Sequence, residues 1–486
     1  MLSRPLLCCR RLRVASLLAS VLLASALAPC AALAGGLPPH VQAALARAHI
    51  GSDSVALLVV DAQGAHAPRL AHRTQVAMNP ASVMKLVTTY AALDLLGPAY
   101  VWNTPVYVDG PVLGGSLQGN VYIKGTGDPK LVLERMWMLL RRLQGLGIHH
   151  IAGDIVLDHS AFALDESDPG RFDGEPLRPY NAAPDALLLN YRSLLLTFTP
   201  DPSSGTALVQ LDPPLHGVQL QGSVPLVVGG VGGDCVDYRA ALQADFSDAN
   251  RIRFGGSYRA SCGERVWPVA YAEPASYAPR ALLGLWLEMG GQIDGSVHWG
   301  QLPARLAAVA PRFTLSSPPL AEIVRDINKY SNNVMAQQLF LTLGLQEGVG
   351  SFASSRAALE RWWGERLADT EAPVLENGSG LSRMERISAQ ALGRLLQLAW
   401  RSGHMAELMA SLPINGVDGT LQRNAAARSS AHLKTGSLSN VLARAGYVDG
   451  QSGKRYVLVA LINHPQAASE AARSAIDALV DWTARD

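Results

Sequence analysis

The first part of the chain combines an apolar strand pattern with a long apolar helix pattern. Residues 54–61 form an apolar run that predicts a β-strand, and an extended piece at residues 69–73 is expected to pair with it. A continuous apolar stretch then predicts a helix that begins at Ser82 and ends at Gly97-Pro98. Strand and helix therefore alternate from the start.

From about residue 100 to 302 the pattern changes to short strands separated by Gly- and Pro-rich turns. Strands are predicted at residues 118–124, 153–157, 194–198, 207–211, 218–220 and 224–228. This spacing is typical of antiparallel β domains. Helices predicted at residues 131–146 and 279–289 interrupt it.

Helical spacing returns beyond Pro311. Helices are predicted at residues 319–329, 334–343, 352–367, 389–402, 404–411 and 465–484. Apolar runs at residues 442–448 and 455–463 flank a Gly-containing turn and predict a hairpin. Because the two ends share one α/β pattern and the middle differs, the sequence predicts an α/β (α+β) domain interrupted by an insertion at about 98–309.

Residues 1–34 have the pattern of a secretory signal. Its positive start holds Arg4, Arg10, Arg11 and Arg13. An apolar stretch at residues 14–28 follows, and Ala32-Leu33-Ala34 offers small residues for cleavage. The alternatives are a membrane anchor, for which an apolar core of about 15 residues is short, and a lipid anchor on Cys30, beside which Pro29 is unfavourable. We expect cleavage, export and no transmembrane span in the mature chain.

The charge and composition exclude several functions. The chain is 48% apolar and 17% charged, which favours folded domains over disorder. Without the four arginines of the signal, 37 basic residues remain against 40 acidic ones, a net charge of −3. Nucleic-acid binding needs a concentrated positive surface and is not expected. The 12 histidines form no cluster with ligand spacing, so neither a metal nor a cofactor is expected.

Two cysteines remain after the signal, Cys235 and Cys262, which lie 27 positions apart. In an oxidising compartment such a pair can form a disulfide. The alternative is two unrelated buried thiols.

Ser82 and Lys85 form the first candidate for chemistry. Three positions apart on a helix, their side chains lie on one face. A serine nucleophile needs a base, and a lysine can serve when burial and nearby positive charge lower its pKa. Of the six lysines, only Lys85 follows a serine by three positions. The alternative is a capping serine before a surface lysine.

The second candidate is Lys434-Thr435-Gly436, followed by Ser437, directly before the predicted hairpin. A cation beside a hydroxyl suits a substrate carboxylate, and glycine leaves room for a substrate backbone. A strand-edge lysine that prevents aggregation is the alternative.

The third candidate is Tyr330-Ser331-Asn332-Asn333, between two predicted helices. Its serine can relay a proton, and an asparagine amide can bind both a lysine and a substrate amide. Ordinary helix capping is the alternative.

Together the three motifs occur in the order expected of penicillin-recognising serine enzymes. The chain resembles the low-molecular-mass class C penicillin-binding proteins, the penicillin-binding protein 4-like D-alanyl-D-alanine carboxypeptidase/endopeptidase group, or peptidase family S13. The resemblance runs from about Leu57 to the end. It includes residues 79–82, 125–129, 153–158, 180–184, 377–383, 415–421 and 432–436.

The resemblance implies a serine peptidase that cleaves D-Ala-D-Ala termini and D-Ala cross-links of peptidoglycan stem peptides. The implied catalytic residues are Ser82, Lys85, Ser331, Asn333 and Lys434, and the implied substrate-binding residues are Thr435, Gly436 and Ser437. Ser82 would be acylated, with Lys85 as its base, and the N–H groups of Ser82 and Ser437 would form the oxyanion hole. The implied partners are stem peptides and β-lactams, in the periplasm. The sequence leaves open whether the protein is a homodimer.

Family members carry two domains inserted between the first and second motifs. The implied division is a signal peptide at 1–34, a catalytic domain at 35–97 plus 310–486 with an antiparallel sheet flanked by helices, and two mostly β inserted domains. The first of these covers 98–161 plus 264–309, and the second, nested in it, covers 162–263.

Two rival functions and two departures from the family pattern accompany this interpretation. The rivals are a serine β-lactamase or esterase on the same scaffold, and a non-catalytic cell-wall binding module. Tyr330 and Asn332 fit the Tyr-x-Asn motif of class C β-lactamases, one residue out of register. Asn377 stands where family members usually have Asp, so a role there that needs a charge is in doubt.

Overall fold

In the part of the chain that the structure describes, the apolar runs form the strands of six sheets, and the amphipathic and apolar stretches form helices that cover them. The computed structural model describes residues 36–165, 168–228 and 235–486. The predicted signal at 1–34 lies outside the described residues.

Within that part of the chain the helices are α1 Pro39–Arg47, α2 Lys85–Leu96, α3 Leu133–Gly145, α4 Tyr238–Leu242, α5 Pro274–Glu288, α6 Ala304–Ala307, α7 Leu320–Tyr330, α8 Asn333–Leu345, α9 Phe352–Arg366, α10 Ala389–Trp400, α11 Met405–Ser411 and α12 Glu470–Ala484. The strands are β1 Val55–Asp61, β2 Leu70–His72, β3 Ala77–Met78, β4 Asn103–Val108, β5 Val112–Leu113, β6 Ser116–Leu117, β7 Val121–Lys124, β8 His150–Ile151, β9 Ile155–Asp158, β10 Ser193–Asp201, β11 Thr206–Asp212, β12 Gln219–Leu220, β13 Ser223–Val227, β14 Ala244–Asp248, β15 Arg251–Phe254, β16 Tyr258–Arg259, β17 Arg265–Ala270, β18 Gln292–Ile293, β19 Val297–Trp299, β20 Phe313–Ser316, β21 Ile387–Ser388, β22 Ala431–Leu438, β23 Val441–Asp449 and β24 Arg455–Asn463.

An antiparallel sheet of order β2-β1-β24-β23-β22 joins the two ends of the chain. Val55 of β1 lies opposite Ile462 of β24. The predicted pairing of β1 with β2 and the predicted β23–β24 hairpin are confirmed. The hairpin has a third strand, β22, which contains the Lys434-Thr435-Gly436 motif and forms the sheet edge.

Both faces of this sheet are apolar, which explains why β1 is a continuous apolar run rather than an alternating one. Ala56, Leu58 and Val60 belong to a core that α2, α8 and α10 share. Val55, Leu57 and Val59 face the opposite way, into a second core that α1 and α12 cover. Helices thus lie on both sides of the sheet.

The inserted region has its own core, built from residues between Val106 and Leu315. Its sheets β19-β9-β7-β4-β20 and β18-β8-β6-β5 contain parallel pairs, including β7 with β9. The expectation of purely antiparallel pairing is wrong here, because α3 carries the chain across between β7 and β9 and returns it in the same direction. The predicted start of α5 at residue 279 is also wrong, since the helix begins at Pro274 and contains Pro279.

The division into three domains stays a prediction, since the residues from Leu37 to Asp486 form one compact unit. The separate apolar core supports an insertion, but β20 pairs with β4 and so joins the inserted sheet from beyond residue 309. Cys235 and Cys262 form a disulfide with an S–S length of 2.02 Å, and Cys262 lies in the inserted core. Among the described helices, none has both the length and the apolar character to cross a bilayer.

Candidate active site

Ser82 lies on a tightly fixed 3₁₀ turn, Ala81–Met84, and α2 begins three residues later than predicted, at Lys85. Asn79 holds this turn: its Oδ1 accepts from Ala81 N–H at 2.8 Å, and its Nδ2 donates to Ser382 O at 2.9 Å. Ala81 has a φ of 47°, in the left-handed region that a non-glycine residue adopts at a cost of about 1–2 kcal/mol. Backbone strain directly before a serine is typical of functional turns.

The side chain of Lys85 is completely buried beneath Ser82. Its Nζ lies 2.9 Å from Ser82 Oγ, 2.6 Å from Asn333 Oδ1 and 2.5 Å from Ser379 O. A neutral amine has two N–H groups and one lone pair. Because the amide and the carbonyl can accept both N–H groups, the lone pair is left facing the Ser82 hydroxyl.

Burial and a second lysine together favour that neutral form. Burial lowers the pKa of Lys85 well below its usual value, the positive charge of Lys434 lowers the pKa further, and Glu385 opposes both effects. Lys85 is therefore suited to accept a proton from a serine hydroxyl.

Lys434 is the second buried lysine and lies on the edge strand β22. Its Nζ donates to Ser331 Oγ at 2.8 Å and to Thr435 O at 2.9 Å. Burial lowers the pKa of Lys434 to about 7. Two lysines thus face one small site, each bound to a serine hydroxyl.

Gly436 allows β22 to lie directly against the Ser82 turn. A Cβ atom at position 436 would stand 2.5 Å from Pro80 O and 3.1 Å from Ser82 N. The sequence predicted that this glycine makes room for a substrate, and the structure shows that it makes room for the chain itself. The backbone N–H of Ser82 is consequently brought beside the Gly436-Ser437 segment.

The turn between α7 and α8 presents its alternate side chains to the two lysines. Ser331 ends α7 in the left-handed conformation, φ 56°, and Asn332 caps α8 by accepting from Met335 N–H at 3.0 Å. Ser331 and Asn333 contact the lysines, while Tyr330 is 65% exposed. The site therefore assembles in the Ser-x-Asn register and not in the Tyr-x-Asn register.

Three further groups at the site carry no recognisable sequence motif. Tyr180 O accepts from Asn333 Nδ2 at 3.2 Å, so the inserted region reaches the site. Thr420 Oγ1 lies 2.8 Å from Thr435 Oγ1. Glu385 is buried below the loop that bonds Lys85. Tyr180 and Thr420 lie in segments 180–184 and 415–421, which resemble the family, but the sequence analysis gave these residues no role. Glu385 lies just after the resembling segment 377–383.

The donor set of the site consists of amines, hydroxyls and amides, which suits proton transfer rather than metal binding. Across the ranges that the structure describes, no group of three His, Cys, Asp or Glu residues could hold a metal ion. The arrangement places a nucleophile, a base and a hydroxyl-bound cation around one substrate position. These are the groups that acyl transfer requires.

Comparison with known proteins gives one consistent result. The chain matches the family described as the D-Ala-D-Ala carboxypeptidase 3 (S13) family over residues 37–485. It is 25% identical over 393 residues to the D-alanyl-D-alanine carboxypeptidase DacB of Haemophilus influenzae, covering 79% of this chain and 80% of that one. It is 28% identical over 417 residues to the D-alanyl-D-alanine carboxypeptidase of Actinomadura sp. strain R39, covering 82% and 76%.

The fold is similar to a solved structure as well. The crystal structure of penicillin binding protein 4 (dacB) from Haemophilus influenzae, complexed with a β-lactam, matches with a TM-score of 0.69 at 21% identity. The match covers 92% of this chain and 100% of that chain. The predicted fold class is confirmed.

Proposed function

The chain belongs to the D-Ala-D-Ala carboxypeptidase 3 (S13) family, and we propose that its Ser82–Lys85 pair cleaves D-Ala-D-Ala termini and D-Ala cross-links of peptidoglycan stem peptides. By family it is a serine-type D-Ala-D-Ala carboxypeptidase. The single observation that carries the assignment of its site is the 2.9 Å contact between Ser82 Oγ and the Nζ of a completely buried lysine. A lysine base has to be uncharged, and burial favours that form by lowering the pKa of Lys85.

Acylation begins when Lys85 Nζ takes the proton of the Ser82 hydroxyl. The oxygen then attacks the carbonyl carbon of the penultimate D-Ala, and the peptide C–N bond breaks. The leaving amine needs a proton, which the hydroxyl of Ser331 can pass on from Lys434, 2.8 Å away. Water then attacks the acyl carbon, the ester bond to Ser82 breaks, and Lys85 returns its proton to the Ser82 oxygen. The water gives one proton back to Lys434 through Ser331, and the shortened peptide leaves as a carboxylic acid.

The edge strand β22 supplies the substrate contacts. Thr435 and the positive charge of Lys434 suit the terminal carboxylate. The N–H groups of Ser82 and Ser437, on the two chain segments that Gly436 allows to touch, suit the oxyanion. Each such donor is worth roughly 3–4 kcal/mol in the transition state.

The same mechanism extends to β-lactams, whose amide would acylate Ser82. The complex of the Haemophilus influenzae protein with a β-lactam supports this extension. Export to the periplasm through a signal at residues 1–34 and formation of a homodimer remain predictions, and peptidoglycan stem peptides are the proposed natural partners.

Labelling with a fluorescent penicillin tests the nucleophile. Wild-type protein is expected to retain the label on a denaturing gel, and Ser82→Ala is expected to lose it. Ser439→Ala, an exposed serine of the turn after β22, is the matched control and should label normally. Equal labelling of wild type and Ser82→Ala would refute the assignment.

Digestion of purified cell-wall fragments tests the substrate. Free D-alanine in the chromatogram indicates carboxypeptidase activity, and loss of cross-linked dimers indicates endopeptidase activity. A stable acyl-enzyme with penicillin, rather than rapid turnover, separates this peptidase from a β-lactamase.

A further inference from the structure

Glu385 is a completely buried carboxylate below the active site. Its Oε1 accepts three backbone N–H groups, from Glu376 at 3.1 Å, Asn377 at 3.0 Å and Gly378 at 2.9 Å. Among the described residues, its Oε2 is buried without a hydrogen-bond partner. An unpaired buried oxygen on a charged group is costly, so a role beyond packing is worth seeking.

The loop that Glu385 holds is the one that contacts Lys85. Directly after the three bonded N–H groups, the carbonyl of Ser379 accepts from Lys85 Nζ at 2.5 Å. The loop is also fixed to α2, because Thr88 Oγ1 donates to Gly378 O at 2.6 Å. Glu385 therefore determines where the Ser379 carbonyl lies relative to the proposed base.

The charges around Lys85 indicate the same positioning role for Glu385. The groups that face Lys85 are Lys434 from β22, Asn333 from the start of α8, and Glu385 from the loop before β21. Only Glu385 among these can carry a negative charge. Burial raises the pKa of Glu385 above its usual value, and the three backbone N–H groups and Lys85 offset that rise only in part. The buried site thus contains two potential cations and one potential anion.

The neighbouring loop residue, Asn377, carries no charge. Its side-chain Oδ1 accepts from Ser379 N–H at 2.9 Å. The backbone N–H of Asn377 donates to Glu385 Oε1. A carboxylate at 377 would therefore share this loop with Glu385, and the two would repel each other.

We propose that Glu385 is a positioning residue for the reaction of Ser82, whose buried carboxylate fixes the 376–379 loop against Lys85 and places a negative charge near the Lys85 amine. This inference rests on the proposed function, because it assumes that Lys85 is the base. Glu385 touches neither Ser82 nor a substrate, so it acts only through the loop and the field at Lys85.

The test is the pH dependence of acylation by a chromogenic cephalosporin, followed from pH 5 to 10. Glu385→Gln keeps an oxygen for the three N–H groups but removes the charge. Acylation needs neutral Lys85, so its rate falls at low pH as Lys85 becomes protonated; we call this fall the acid limb. Without the charge of Glu385 the protonated form of Lys85 is less favourable, so the acid limb should move to a lower pH by about one unit. Glu385→Asp keeps the charge on a shorter side chain, and it should lower the melting temperature while leaving the acid limb in place.

Asn377→Asp provides the rescue. In the Glu385→Gln background it returns a carboxylate to the same loop and should move the acid limb back towards the wild-type position. In the wild-type background it creates two adjacent carboxylates and should lower the melting temperature.

The proposal would be overturned if the acid limbs of Glu385→Gln and wild type coincided. A loss of stability alone would then show that Glu385 contributes only to packing. A failure of Asn377→Asp to restore the limb would also overturn it. Loss of the proposed function is distinguishable, since it would appear as penicillin labelling that survives Ser82→Ala, whereas the Glu385 variants should still label at a shifted pH.

Discussion

The amine of Lys434 lies 2.8 Å from the hydroxyl of Ser331, although 103 positions of the chain separate them. The contact closes the α7–α8 turn over the edge strand β22 and encloses the space above Ser82. It also places a second lysine near Lys85, and the charge of Lys434 makes the charged form of Lys85 less favourable.

The first prediction concerns stability and pH. The pKa of Lys434 is about 7 in the folded protein, whereas an unfolded lysine has a pKa near ~10.4. Between these values unfolding takes up a proton, so the free energy of unfolding should rise with pH, by at most about 1.4 kcal/mol per pH unit. Urea denaturation of wild type and Lys434→Met at pH 7, 8 and 9 measures this. A difference between the two proteins that stays flat with pH would contradict it.

The second prediction concerns Gly436. A Cβ atom there would stand 2.5 Å from Pro80 O, so Gly436→Ala should push β22 away from the Ser82 turn. Since displacements of about 1 Å can cost 10²-fold in rate, we expect acylation to slow by about that factor. Gly403→Ala is the control, because nothing lies within 4 Å of its added carbon. Similar acylation rates in both variants would refute the explanation.

The third prediction concerns the hydroxyl pair formed by Thr420 and Thr435, 2.8 Å apart. Thr420→Val preserves shape but leaves Thr435 without this partner, and a hydrogen bond is worth about 1 kcal/mol. The KM for a D-Ala-D-Ala peptide should therefore rise roughly fivefold, with little change in kcat, while Thr420→Ser should resemble wild type. If the same rise occurs with a peptide that ends in a carboxamide, carboxylate binding is not the cause.

The fourth prediction concerns Lys329, whose Nζ donates to Leu412 O and to Asp418 Oδ2, each at 2.6 Å. Lys329 is buried but Asp418 is about one third exposed and can be solvated once its partner is gone. Lys329→Met should therefore lower the free energy of unfolding by about 1–2 kcal/mol, between the values for a surface pair and a buried pair. Lys454→Met, at an exposed position, should have little effect. Chemical denaturation of both variants at neutral pH measures the difference.

The pair formed by Lys329 and Asp418 should also make the stability of the protein sensitive to acid. Burial alone would raise the pKa of Asp418, but the hydrogen bond from Lys329 and a backbone N–H lower it below its usual value. A carboxyl with a depressed folded pKa contributes stability above its unfolded pKa, near ~3.9, and loses it as the pH falls. The difference in stability between wild type and Lys329→Met should therefore shrink progressively as the pH falls below about 4. A gap that persists in acid would argue against the ion pair.

Much of the fold follows from local patterns. The apolar runs of β1, β23 and β24 identify the central sheet, and the spacing of Ser82 and Lys85 brings their side chains together without any tertiary information. The parallel pairing of β7 with β9 could not be read in this way. Short strands have the same pattern in either direction, and only the path of α3 decides between them.

The residues that sequence reasoning missed share a physical cause. Glu385 is one acidic residue among 40 Asp and Glu, and only tertiary packing buries it. Thr420 is an exposed threonine on a turn, and its importance comes from a strand that meets it in space. Chemical motifs reveal the groups that react, while the groups that support them are identified by their surroundings.

Strand β1 is made long before its partner β24, which begins at Arg455. Until the β23–β24 hairpin has been made, β1 lacks this partner, and the strand that carries Lys434 lacks its neighbour β23. Ser82 and Lys85 are therefore made long before Lys434 can join them, and the proposed site is complete only once this hairpin has formed.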